Sequence, residues 1–356
     1  MIERSRIMQF EEKLDVIEED IAQYSRELLD ILLKDRTTNE NIIWATSDYI
    51  SHGELYAATE QIYASLITGV HSKLIQPRVA KAHEQKNSRT RDKAEVFTPS
   101  WICNAQNNLV DEHWFGRSNV FNIQQDSTWT ATERVVFSED KQHTWKHYVD
   151  ARRIEVSCGE APYLVSRYDT VTGEPIELFS RIGLLDRKLR VVTENASDES
   201  EWLKWAYRAY ESVYGFEFQG DNLLLARENL LYTFIDYMRY ALKRTPTLNE
   251  LKKVATIISW NLWQMDGIKM VVPDSCDKVY ETDLFGETTK KQCPACMKGE
   301  TNGHIGVKCI IRDWNLKKPK DWQPSPGEDP KSQPWQKIEF RSLFRSNQKE
   351  TEDDEI

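Results

Sequence analysis

The sequence predicts an α/β fold built on a mostly parallel sheet. Three short apolar runs, RRIEVSC (152–158), YGFEFQG (214–220) and NLWQMDG (261–267), each read as a strand. Between them stand the helical patterns EWLKWAYRAYESVY (201–214), NLLLARENLLYTFIDYMRYAL (222–242) and LNELKKVATIISW (248–260). Alternating strands and helices favour parallel pairing, because a crossover helix returns the chain to begin its next strand in the same direction. With 356 residues, 40% of them apolar, the chain can build one large domain or two modest ones without covalent staples.

Ahead of the first strand, FEEKLDVIEEDIAQYSRELLDILLKD (10–35) spaces Leu14, Ile17, Ile21, Tyr24, Leu28 and Leu32 as an amphipathic helix. Its stripe must pack on the rest of this chain or on a second subunit. NENIIWATSDYISHG (39–53) reads as a loop leading into mixed helix and strand. The connector KAHEQKNSRTRDKAEVFTPSW (81–101) is rich in charge, and Lys81, Lys86, Arg89, Arg91 and Lys93 either meet phosphates or form a solvated face. From Pro99, WICNAQNNLVDEHWF (101–115) predicts a helix capped by Thr98 or Ser100. The polar insertion STWTATERVVFSEDKQHTWKHYVDARR (127–153) reads as partly β. KKPKDWQPSPGEDPKSQPWQ (317–336) is dense in Pro, Gly and charge and predicts a loop, and NQKETEDDEI (347–356) an acidic tail. These shifts divide the chain into an N-terminal helical region (1–90), a core (91–272), a cysteine-containing segment with the end of the core (273–345) and the disordered tail (346–356).

Lys and Arg number 47 against 57 Asp and Glu, a net charge of −10. That balance argues against a nonspecific nucleic-acid coat, although a local basic face can still approach DNA. No apolar run reaches bilayer length and no signal-peptide pattern opens the chain, which predicts a cytoplasmic protein with no membrane partner.

In an open α/β sheet, ligands gather beyond the carboxyl ends of the strands. Cys158-Gly159 follows the first strand, and Gly159 admits either a close cofactor or a simple turn. Glu217 ends the second strand, where a carboxylate can accept two hydrogen bonds from the vicinal hydroxyls of a ribose. Asp266 follows the third, where it can accept an adenine amino proton. Three such loops pointing one way would make a nucleoside pocket.

Taken in order, Phe97-Thr98-Pro99, SCGEAPYL (157–164), GFEFQGDNLLLARENLL (215–231) and NLWQMDG resemble the cofactor-binding motifs of adenine-N6 DNA methyltransferases, in particular the modification subunits of restriction-modification systems. The resemblance covers residues 40–345; each motif is weak alone, and their order and spacing carry it. It implies a Rossmann-like, S-adenosylmethionine-dependent fold with helices on both faces, here joined to an N-terminal helical region and a small zinc-binding insertion. It also implies roles: Phe97 and Thr98 at the methionine end, Cys158 and Gly159 beneath it, Glu217 on the ribose, Asp266 on adenine, and Pro99 mainly structural. Double-stranded DNA is the implied partner, with a second methyltransferase, specificity or restriction subunit beside it.

The chain departs from the pattern at two places. Glu160-Ala161-Pro162 stands where the usual loop has another glycine, close to the expected cofactor carboxylate. The Asn/Asp-Pro-Pro-aromatic run that holds the flipped adenine in this family is not found: after WQKIEFRSLF (335–344) the sequence passes into RSNQKETEDDEI. Asn315-Leu316-Lys317-Lys318-Pro319 is the nearest imitation, with the wrong spacing. The expectation is a cofactor-binding protein inactive alone or completed by a partner subunit, its catalytic residues unknown. The alternative is a catalytically silent DNA- or protein-interaction module that regulates or inhibits a restriction or methylation system.

Four of the six cysteines crowd together: Cys276, Cys293 and Cys296 in a CxxC, and Cys309. CxxC lets two sulfurs converge on one ion, and the outer pair can close a tetrahedron, which fits zinc. His304 is the reserve ligand if an outer cysteine is a buried hydrophobe. Iron–sulfur binding fits less well, since nothing else in the chain suggests redox work. Cys158 belongs to the loop after the first strand, and Cys103 to the interior of the helix after Pro99.

Overall fold

The computed structural model describes residues 18–80, 98–139, 141–282, 286–323 and 333–344. The N-terminal stripe forms two helices where one continuous helix is expected: α1 (Glu18–Tyr24) and α2 (Arg26–Leu33), broken at Ser25, whose extended backbone begins α2 as its N-cap. Ile21, Leu28, Leu29, Leu32 and Leu33 turn inward and join the main core of this chain. The predicted start of that helix, with Leu14 and Ile17, lies outside the described residues. A short α3 (Ala64–Ile67) packs on α1 and α2.

Helix α4 (Ser100–Phe115) begins after Pro99 without a side-chain cap of its own. Asp169, from the loop beyond the first sheet strand, supplies the cap instead, accepting from the Ser100 N–H at 2.9 Å. Gly116 ends α4 in the left-handed conformation that lets the last turn close. The polar insertion forms an antiparallel hairpin, β1 (Asn122–Gln125) with β2 (Thr128–Ala131), and then α5 (Trp145–Asp150).

The parallel sheet comes next. It consists of β3 (Arg153–Val156), β4 (Val213–Glu217) and β5 (Leu262–Gln264), ordered as they occur in the chain. Two helices connect β3 to β4: α6 (Leu184–Asn195), which the sequence reading passed over, and α7 (Glu199–Glu211). Then α8 (Gly220–Leu242), buried along most of its length, and α9 (Leu248–Asn261) connect β4 to β5. A reciprocal capping box between Thr247 and Glu250 starts α9.

Alternation along the strands gives the sheet two different faces. Val213 and Leu262 point into a large core shared with α2 and α6 to α9. Tyr214, Phe216, Trp263 and Met265 point the other way, into a smaller core closed by Val272, Cys309, Ile311 and Phe340. Much of that cover comes from an antiparallel pair that follows the CxxC-containing region in the chain. That region holds β6 (Tyr280–Thr282), β7 (Thr288–Lys290) and α10 (Pro294–Lys298), and the pair is β8 (Ile310–Arg312) with β9 (Lys337–Glu339). The result is a mixed α/β architecture with N-terminal helices on a small parallel sheet. Among the described residues no helix is long and apolar enough to cross a membrane.

Candidate cofactor pocket and metal centre

The three loops at the carboxyl ends of β3, β4 and β5 leave the sheet side by side. Ladder bonds continue past the strands, from the Cys158 N–H to the Phe216 carbonyl at 2.9 Å and from the Met265 N–H to the Glu217 carbonyl at 3.0 Å. In the loop after β3, Ser157, Gly159 and Ala161 all adopt positive φ, of 50°, 53° and 64°. Two of these carry a Cβ, which makes the left-handed conformation costly and marks the loop as held by its surroundings.

The Glu217 carboxylate organises this end. The Gly159 N–H donates to its Oε2 at 2.8 Å and the Gln219 N–H to its Oε1 at 3.2 Å. Burial pushes its pKa up, and the N–H groups of Gly159, Gln219 and Phe218 oppose that push. With three N–H donors on it, the carboxylate keeps about one of its roughly four acceptor sites. Asp266 lies just beyond β5, its Oδ1 accepting from the Ile268 and Lys269 N–H groups at 3.0 Å each and its Oδ2 3.5 Å from the Lys269 Nζ. Thr98 approaches the loop after β3 through its backbone, its carbonyl accepting from the Thr170 hydroxyl at 3.2 Å. Phe97 lies outside the described residues.

The two chemical oddities of the β3 loop have structural explanations. Glu160 is turned into the protein: its Oε1 accepts from the Arg78 N–H and its Oε2 from the Tyr168 hydroxyl, both at 2.6 Å. Asn229 donates to the Glu160 carbonyl and to the Tyr168 hydroxyl, at 3.2 Å each. The Cys158 thiol is buried and pushed well above the ordinary thiol range by desolvation, then by the carboxylates of Glu155 and Glu217. It packs over Gly215, where a Cβ would lie 3.4 Å from the sulfur. A protonated, enclosed thiol is no nucleophile.

An N-terminal segment also walls this end of the sheet, and nothing in its own sequence announced it. The Gln264 amide reads the Ile43 backbone in both directions, accepting from its N–H at 2.9 Å and donating to its carbonyl at 2.8 Å. The Gly220 N–H donates to the Trp44 carbonyl at 3.0 Å. Here glycine is required, since any Cβ would collide with the Ile43 carbonyl. The signal was on the other side of the contact, in a Gln at a buried strand end and a Gly opening a helix.

The second site lies against the Asp266 turn. Cys276, Cys293, Cys296 and His304 present ligand atoms that all fall within 4.8 Å of one another, so that together they could hold a metal ion. His304 Nδ1 stands 3.8, 3.6 and 3.3 Å from the sulfurs of Cys276, Cys293 and Cys296. Its other nitrogen, Nε2, is 2.8 Å from the Glu300 carbonyl, which can only accept. That bond therefore places the proton on Nε2 and leaves the Nδ1 lone pair aimed at the three sulfurs. Burial opposes ionisation of Cys293, but the N–H groups of Ile305 and Cys296, with the Cys296 thiol, outweigh it and bring the Cys293 thiol down to about 6.

The fourth position belongs to His304, and Cys309 does not reach the cluster. Cys309 is buried in the core beside β5, its sulfur 3.6 Å from the Gln264 carbonyl and its pKa raised well above the usual thiol range by burial. It occupies the interior position that a small hydrophobe takes. Local geometry explains the grouping of the others. Cys293 is the N-cap of α10, so Cys296 returns beside it after one turn, and Gly299 reverses the chain at φ 67°. A Cβ at Gly306 would meet the Ser275 hydroxyl at 2.5 Å and the Cys276 sulfur at 3.0 Å, so only glycine lets the His304 segment close on Cys276. The Val272 N–H to Val307 carbonyl bond, 2.9 Å, ties this module to the residues following Asp266. Comparison of the chain with known protein families, with curated proteins and with solved structures finds no match.

Proposed function

We propose that this chain is an S-adenosylmethionine-binding protein of the adenine-N6 DNA methyltransferase type, of restriction-modification or phage-defence character, acting on double-stranded DNA with a partner subunit. One observation carries the reading: the Gly159 N–H rests on the Glu217 carboxylate at 2.8 Å, with Asp266 at the adjoining strand end. A left-handed glycine loop beside a strand-terminal acid is what a Rossmann-like sheet offers the methionine and ribose parts of this cofactor, and Asp266 would meet the adenine. The inward turn of Glu160 supports it, because no carboxylate then opposes that of the cofactor. Three parallel strands in chain order match one half of such a sheet. Catalysis is assigned to the partnered state, since no Asn/Asp-Pro-Pro-aromatic run occurs in the sequence. The silent-module alternative gains from the same carboxylates, which already accept hydrogen bonds from their own chain.

Titration calorimetry with S-adenosylmethionine and S-adenosylhomocysteine separates the two. Binding is expected, weakened about tenfold or more, or roughly 1.4 kcal/mol or more, by Glu217→Ala or by Asp266→Ala. Absence of heat at millimolar ligand with the folded protein would sink the cofactor reading and favour the silent module.

The cluster of three cysteines and one histidine is proposed to hold zinc in a structural role. Zinc–sulfur bonds of about 2.3 Å and zinc–nitrogen bonds of about 2.0–2.1 Å at tetrahedral angles put sulfur and nitrogen roughly 3.6 Å apart. The His304 distances straddle that value. With four protein ligands, no coordination position is left for chemistry.

A further inference from the structure

We propose that the corner formed by the end of α9, the β8–β9 pair and the chain just after β8 binds single-stranded nucleic acid, with phosphates on a cluster of cations and a base on tryptophan. This corner lies at the amino end of the sheet: the Trp314 indole N–H donates at 2.8 Å to the side chain of Asn261, the last residue of α9 before β5. The inference therefore goes beyond the cofactor reading and does not draw on Gly159, Glu217 or Asp266.

Three cations gather on one buried ring. The guanidinium carbons of Arg36 and Arg312 stand 5.9 and 6.0 Å from the Trp260 centroid, and the Lys337 ammonium 5.6 Å from it. Arg312 and Lys337 are register partners across β8 and β9, a placing that like charges oppose. None of the three has a carboxylate at ion-pair distance among the described residues; Arg36 Nε donates to the Ser259 hydroxyl at 2.8 Å and Arg312 Nε to the Gln336 side chain at 2.9 Å, both neutral. The acids that act on the arginines from farther off are engaged elsewhere. Asp35 accepts from the Thr37 and Thr38 N–H groups, and Glu211 pairs with Arg208 at 3.1 Å. Desolvation, then repulsion from Arg312, holds the Arg36 pKa below the usual guanidinium range. In a chain of net charge −10, cations clustered in this way repel one another, and a bound anion relieves the repulsion.

Part-buried tryptophans alternate with these charges. Arg312 lies over Trp314 at 4.2 Å, Lys318 lies over Trp322 at 4.8 Å, and Trp322 meets Trp335 edge-on with centroids 4.8 Å apart. Gln336 joins the two groups, its amide donating to the Trp314 and Leu316 carbonyls at 3.3 Å each while its oxygen accepts from Arg312. Cations alone would suit any polyanion. A duplex presents phosphates and hides its base faces, whereas a single strand offers both, and interleaved charge and indole is the combination that reads both.

Fluorescence anisotropy of the full chain tests this with a labelled mixed-sequence DNA strand of about 15 nucleotides, its RNA counterpart and the matching DNA duplex. Either strand is expected to bind more tightly than the duplex, and the two strand probes distinguish a DNA from an RNA ligand. Lys318→Gln and Lys337→Gln should each lower the slope of log affinity against log salt by about 0.7, with an unchanged melting temperature. Trp322→Ala should weaken strand binding about tenfold at an unchanged salt slope, and Trp322→Phe should retain it. Equal binding of strand and duplex, or strand binding that survives Trp322→Ala, reduces the corner to a charged patch and overturns the proposal. No binding at about 50 mM salt, or binding that neither lysine change moves, overturns it too. The chain has its own competing acids in 324–332 and 345–356, outside the described residues: Glu328, Asp329 and those of 350–355. Strand binding that emerges only when these are changed to amides would assign the corner to the chain itself and sink the proposal. S-adenosylmethionine titration separates the two sites: wild type that binds the strand without the cofactor sinks the pocket alone, and wild type that binds the cofactor without the strand sinks the corner alone.

Discussion

Glu155 illustrates how much a single residue under the loop after β3 can hide. In the sequence it is one acid in an alternating strand, indistinguishable from a solvent-facing position. In the structure it is buried, its oxygens accepting from the Tyr163 and Leu164 N–H groups at 3.3 and 3.1 Å, and burial pushes its pKa up to about 8. The two N–H groups do not offset that desolvation, and the Glu217 carboxylate adds to it. The native state therefore keeps a proton that the unfolded chain has lost between its ordinary value, about 4.3, and 8. Stability from this group is fully present below that window and declines as pH rises through it. Glu155→Gln removes the titration. Urea unfolding is expected to show the variant gaining on wild type by on the order of a few kcal/mol between about pH 5 and pH 8.5. Parallel pH profiles for the two proteins would assign the effect elsewhere. The same invisibility affected the candidate metal ligands: CxxC was legible from spacing, but the choice between His304 and Cys309 depended on which residue Gly306 lets close on Cys276.

At the scale of elements, the strands β3 to β5 and helices α4 and α7 to α9 were legible because their apolar residues follow the period of the structure they form. Helix α6 was not. Its LLDRKLRVV core carries Asp186, Arg187, Lys188 and Arg190, which read as surface, yet all four are buried. Arg190 has a local partner in Glu194, one turn on at 2.7 Å, but the others find theirs only in three dimensions. Arg187 donates to Asp111 at 2.5 Å and to the side-chain oxygens of Asn104 and Asn108 at 2.8 Å, and Asp111 in turn accepts from the Tyr148 hydroxyl at 2.8 Å. The Lys188 ammonium reaches the Val149 carbonyl at 3.0 Å and the Ser212 hydroxyl at 2.5 Å. These bonds hold α6 to α4 and to the residues around α5. Removing one partner of the Arg187–Asp111 pair strands the other charge away from water, so Arg187→Met is expected to cost about 3–5 kcal/mol in urea unfolding. Asp111→Asn in the Arg187→Met background should cost much less than it does alone. Additivity of the two changes within about 0.5 kcal/mol would show that the pair is not coupled.

Across the whole molecule the packed core is distributed unevenly, and the cluster of three cysteines and one histidine sits on the thin part. The main core runs from α1 and α2 through α9 and includes none of Cys276, Cys293, Cys296 and His304. The ligand-bearing module has only the small cluster of Val271, Cys276, Cys293 and Ala295, with Ile305 against it. So few apolar residues offset little of the entropy of ordering a segment of this length, and an ion bound as proposed would supply much of the difference. The module is nevertheless attached to the turn after β5. The Asp266 N–H donates to the Val271 carbonyl at 2.9 Å, and Val271 bridges in turn to Lys308. Chelation is thus expected to raise hydrogen exchange across 273–308 and in the Asp266–Val271 turn, while α8 and α9 keep their protection. Cys296→Ser and His304→Ala should reproduce that pattern and lose the one zinc per chain that elemental analysis is expected to find, whereas Cys309→Ser should keep it. Loss of protection in α8 together with the module would mean that the ion supports the main core after all. Zinc content unchanged by His304→Ala would return the fourth position to Cys309.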